Sequence, residues 1–99
     1  MVQYRIKLRC DGVPVDQGEQ GAKCITSAFR TNRSWHQNAE CTWDGASLHL
    51  SVENDFDKNG LATWDEFSDE ITACIEALFD GDLVIVSVEP IGSAPSGDG

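Results

Sequence analysis

Bases are scarce in this chain: 7 Lys and Arg stand against 17 Asp and Glu, a formal net charge of −10. That balance argues against direct nucleic-acid binding, which draws on Lys and Arg to neutralise phosphates. No long apolar run occurs, so no membrane-spanning helix is expected. The charged stretch Tyr4-Arg5-Ile6-Lys7-Leu8-Arg9 breaks any signal-peptide pattern, and a cytoplasmic chain is expected. Cysteine is confined to positions 10, 24, 41 and 74, without the close spacing of a zinc site or redox motif. Their pairing is open, and without a secretion signal buried free thiols are the expected state. The two histidines, His36 and His49, belong to no metal or nucleophile motif. Nucleophile-elbow, phosphate-loop and dinucleotide-binding patterns are also missing, so a non-catalytic protein is expected.

What is present organises well. The 99 residues suit one domain over 1–91 with a polar tail over 92–99. Val2 to Cys10 alternates, with Val2, Tyr4, Ile6, Leu8 and Cys10 on one side and Arg5, Lys7 and Arg9 on the other, which predicts a half-buried strand. A loop then runs to about Glu19. Ala22, Ile25, Ala28 and Phe29 keep helical spacing over Glu19–Asn32, while Gly21, Ile25 and Thr26 leave a strand through Cys24–Phe29 as the alternative. Trp35–Trp43 and Ser47–Glu53 read as strands joined at Asp44-Gly45, the pair favoured by a type I′ hairpin turn. Trp64, Phe67, Ile71, Cys74, Ile75 and Leu78 form one apolar stripe and predict a helix over Thr63–Asp80. Leu83–Val88 is apolar enough for a strand packed on both faces, with Pro90 as its stop.

The resulting order is strand, helix, hairpin, helix, strand. It predicts an α+β, ferredoxin-like βαββαβ sandwich, an antiparallel sheet with two helices on one face. Ile6, Leu8, Leu50, Val52 and Val86 would pack against Phe67, Ile71 and Ile75. Arg5, Lys7, Arg9 and His49 would form a basic stripe on the open face.

One stretch has a specific chemical pattern. In Asp55-Phe56-Asp57-Lys58-Asn59-Gly60-Leu61-Ala62-Thr63-Trp64-Asp65-Glu66-Phe67, oxygen side chains alternate and then recur around a glycine. Such spacing lets a curling backbone gather several oxygens about a hard cation. The stretch resembles the calcium-binding loop of the EF-hand family, including the phenylalanine after the glutamate. The resemblance implies one Ca2+ held by Asp55, Asp57, Asn59, the Leu61 carbonyl, Thr63 and Glu66. It covers the loop and the following helix only: the segment entering it alternates like a strand, position 62 is alanine, and no second loop follows. Thr63 and Glu66 alternatively form a helix capping box.

Charge is unevenly placed. Ten acids and one base lie between Glu53 and Asp82, whereas the rest of the chain carries seven acids and six bases. The expected function is therefore an acidic interaction protein presenting Asp65, Asp69, Glu70 and Glu76 to a basic partner surface, such as that of a nucleic-acid-binding protein. In charge and size it resembles acidic inhibitors of phage and mobile elements that mimic DNA, the anti-CRISPR and anti-restriction types. A calcium-dependent regulator is the second reading. Arg5, Lys7 and Arg9 supply a second surface, either for RNA or for a homo-oligomer in which the basic face of one copy meets the acidic helix of the next.

Overall fold

The computed structural model describes residues 3–75 and 81–92. The elements are β1 (Gln3–Asp11), α1 (Val15–Asn32), β2 (Gln37–Trp43), β3 (Ser47–Asn54), α2 (Leu61–Cys74) and β4 (Leu83–Gly92). The four strands form one antiparallel sheet in the order β2-β3-β1-β4, so β1 and β3 are central. Alternation decides the faces: Ile6, Leu8 and Cys10 oppose Val52, Leu50 and Leu48 and are buried, while Arg5, Lys7 and Arg9 oppose Glu53, Ser51 and His49. The buried sheet residues join Ala22, Ile25 and Phe29 of α1 and Phe67 and Ile71 of α2 in one core. The chain is thus α+β, with both helices packed against one sheet face.

Helix α1 begins at Val15, inside the stretch expected to be a loop, and it excludes the alternative strand over 24–29. Its glycines are contact points rather than breaks. A Cβ on Gly18 would run into the Trp43 indole, and one on Gly21 into Ile75 Cδ1. The small residues let β2 and the end of α2 approach the helix closely, and that packing outweighs their low helix propensity. Thr26 and Arg30 of the same helix close the outer edge of β2. Thr26 Oγ1 accepts the Cys41 amide at 2.8 Å, and Arg30 Nε donates to the Ala39 carbonyl at 2.9 Å. At Cys41 and Ala39, backbone groups of this edge that would template another strand are satisfied by α1.

Several boundaries differ from the sequence reading. The hairpin closes with the Asp44 amide donating to the Ser47 carbonyl, and only Gly45 (φ 99°) has positive φ, so Asp44-Gly45 is not a type I′ pair. Asp44 instead accepts the Ala46 and Ser47 amides at 2.8 and 2.7 Å. Helix α2 starts at Leu61 and ends at Cys74, with Ile75 already extended; Glu76 and Leu78 lie outside the described residues, as does the tail from 93 onward. Pro90 does not end β4, because an edge strand tolerates a missing amide on its open side. Val86 is 52% exposed rather than in the core. A register shift against Lys7/Leu8 turns it outward, while Ile85 and Val88 pack inward.

Cys24 of α1 and Cys74 of α2 form a disulfide across 50 residues. Free thiols are therefore found only at Cys10 and Cys41, both buried. Burial pushes those thiols up to about 11 and about 12 respectively, so both stay protonated near neutrality.

Candidate functional site around His36 and the 54–66 loop

The loop that carries the sequence pattern is built by its own side chains. Asn54, the last residue of β3, is buried, and its Oδ1 accepts the Phe56 and Asp57 amides at 3.2 and 2.9 Å. This turns the chain out of the sheet. Gly60 (φ 80°) then reverses it into α2. Asp57 is buried at the start of that helix. Its carboxylate accepts the Thr63 amide at 2.8 Å, the Thr63 hydroxyl at 2.6 Å and the Ala62 amide at 3.3 Å. Negative charge against free helix amides is a favourable arrangement. Thr63 is thus inside the helix and bonded to Asp57, which overturns the Thr63–Glu66 capping box.

Glu66 points elsewhere. One turn into α2, its carboxylate reaches across to the segment after α1. Oε1 lies 2.5 Å from His36 Nε2, and Oε2 accepts Trp35 Nε1 at 3.1 Å. Arg33 Nη1 stands 3.7 Å from Glu66 Oε2, while Arg33 Nε donates to Glu70 at 3.0 Å. The far side of His36 is also occupied: Asn54 Nδ2 lies 3.1 Å from Nδ1. Because Asn54 Oδ1 is held by two backbone amides, its Nδ2 must be the group facing His36. Nδ1 therefore accepts, and the ring hydrogen sits on Nε2, donating to Glu66. The imidazole is 0% exposed and lies among Phe29, Trp35 and Phe56, with centroids 5.5, 6.0 and 5.9 Å away.

Of the six residues expected to hold a cation, all but Asp55 are engaged separately in this arrangement. Asp57 spends its oxygens on α2, Glu66 on His36, Trp35 and Arg33, and Asn59 Oδ1 on the Leu61 amide at 3.0 Å. Leu61 already belongs to α2, so its carbonyl follows the helix axis. Asp55 is exposed and makes no hydrogen bond or ion pair among the described residues. The Glu66–His36–Asn54 chain escaped the sequence reading. Its members are 30 and 18 residues apart, and no local spacing links them.

The proposed partner surfaces are also redistributed. Asp65 and Asp69 are exposed on α2, while Glu70 is paired with Arg33. On the open sheet face, Arg5 pairs with Glu53 at 3.1 Å and Arg9 with Asp11 at 2.9 Å, leaving Lys7 as the exposed base of the three. The Ser47 hydroxyl and then Arg9 hold the Asp11 carboxyl below its ordinary range. The basic stripe is therefore largely neutralised by acids on the same face.

No described helix is long and apolar enough to cross a membrane. Compared with protein-family models, curated proteins and solved structures, the chain matches none.

Proposed function

We propose that the chain is a non-catalytic interaction protein, of ferredoxin-like architecture, that presents free carboxylates of α2 to a basic protein surface. The observation that carries this reading is the division of acids along α2. Glu66 and Glu70 are matched by Arg33, His36 and Trp35, whereas Asp65 and Asp69, one helical turn apart, stay exposed without a cation among the described residues. Arg5, Arg9, Lys23 and Arg33 are spent on other acids, so the excess charge is left for a partner. His36 supports a non-catalytic reading: both ring nitrogens are engaged and the ring is fully buried, so this imidazole does not face a substrate. A partner whose basic groove normally holds nucleic-acid phosphate suits such a surface, and electrostatic steering would make association fast and salt-sensitive.

The test is capture of basic proteins on the immobilised chain at low and high salt, with Asp65→Asn/Asp69→Asn alongside. Capture should fall with salt, and the double variant should bind less and associate more slowly. Equal capture by the double variant would remove α2 as the contact surface.

A further inference from the structure

Two aromatic rings beside the buried network have no role in the core. Trp35 is 49% exposed and Phe56 is 48% exposed, although both contact the fully buried His36 ring. Neither is loosely held. The only polar atom of the indole, Nε1, is tied to Glu66 at 3.1 Å, and the Phe56 amide is tied to Asn54 at 3.2 Å. A large ring that keeps half its surface in water while its attachment is fixed loses little entropy when something lies against it. Trp is also enriched among residues that dominate binding energy.

The surroundings state which chemistry suits these rings. Asp55, which precedes Phe56 in the chain, is exposed and carries no cation among the described residues, whereas the Glu66 carboxylate that accepts the indole N–H is already met by Arg33. Negative charge beside aromatic faces favours a cation, and a planar guanidinium can stack on a ring while its N–H groups reach a carboxylate. The molecule already contains such a pairing internally: the Arg33 guanidinium carbon lies 5.8 Å from the Phe29 centroid while Arg33 bonds to Glu70. The geometry points to Trp35 and Phe56 as the anchor that holds an arginine side chain of the basic partner, with Asp55 beside it. This assignment rests on the interaction reading above and supplies its chemical specificity: arginine in preference to lysine.

The experiment titrates the full chain with an oligoarginine peptide and an oligolysine peptide of equal length at low salt. The Trp35 indole N–H and the Phe56 amide are followed by NMR. Oligoarginine should shift both signals saturably and bind about fivefold more tightly than oligolysine. Trp35→Ala should erase that preference. Because the indole also bonds to Glu66, Phe56→Ser is the second variant; its ring makes no hydrogen bond, and it should erase the preference in a chain that still melts cooperatively. Asp65→Asn/Asp69→Asn should weaken both peptides alike and keep the preference. If both peptides bind equally and shift only α2 signals, the anchor is wrong while the acidic surface stands. Failure of both peptides to bind would remove both readings. A concentration-dependent shift of the Trp35 signal without peptide would identify a second copy of this chain as the occupant and overturn the arginine assignment.

Discussion

Two histidine–carboxylate pairs of nearly equal length sit in opposite surroundings. His36 meets Glu66 at 2.5 Å with its ring fully buried, and His49 meets Asp44 at 2.6 Å at the exposed hairpin. Distance therefore says little about what each pair does. Around His36 every donor has a designated acceptor, and among the described residues no buried side-chain nitrogen or oxygen lacks a partner. Removing one member there strands several others where water reaches poorly. Around His49, water replaces a lost partner at little cost. The first pair joins α2 to the segment after α1; the second only trims a turn.

The largest effect expected of a single substitution comes from breaking the buried pair. Glu66→Ala removes the acceptor of His36 and Trp35 and an ion partner of Arg33. It should cost about 3–4 kcal/mol, read as a lower urea midpoint. A cost under about 1 kcal/mol would place His36–Glu66 in the same class as a surface pair.

The disulfide sharpens the comparison, because it ties α2 covalently to α1, the helix just before the His36 segment. Replacing Cys24 and Cys74 by serine opens a loop of 50 residues and should cost about 4 kcal/mol. In that variant Glu66→Ala should be more damaging than in the parent, since α1 and α2 then depend on the noncovalent contacts alone. Additive losses in a double-mutant cycle would show that the two ties act independently.

The smallest effect belongs to the hairpin. His49→Ala should leave the urea midpoint unchanged within error, but its signature should appear in a titration. The hydrogen bond from His49, then the Ser47 and Ala46 amides, lower the Asp44 carboxyl from 3.8 to about 2. A carboxyl depressed in the folded state stabilises above its unfolded value of 3.8, and that contribution is lost as pH falls through about 2. By carbon-detected NMR the Asp44 midpoint should lie near 2 in the parent and move towards 3.8 in His49→Ala. An unmoved midpoint would assign the depression to the turn amides.

Strand and helix existence was legible in local pattern. The alternation of Ile6, Leu8 and Cys10, and of Leu48, Leu50 and Val52, matches the buried face, and the central placement of their two strands was expected. Boundaries were less legible where tertiary contact overrode local preference. Gly21 weighed against the helix, and Gly18 fell in the expected loop, because their contacts with Ile75 and Trp43 do not exist until the chain folds. Val86 looked like core because a register shift leaves no local mark.

The loop shows the same division. Its Asp, Asn and Gly residues determined that the chain would turn between β3 and α2, since short polar side chains bond nearby amides and glycine accepts positive φ. The apolar periods determined one α+β core, and the acid excess determined a strongly negative surface. Tertiary structure alone decided which acids are spent and which are free. Glu66 and Glu70 found Arg33, His36 and Trp35 from a segment some thirty residues away, while Asp65 and Asp69 faced water. It also decided that Cys24 would meet Cys74 and that Trp35 and Phe56 would each lie against His36. A local pattern constrains dihedrals and faces; which distant groups become neighbours depends on the packing of whole elements, and that packing exists only in the folded chain.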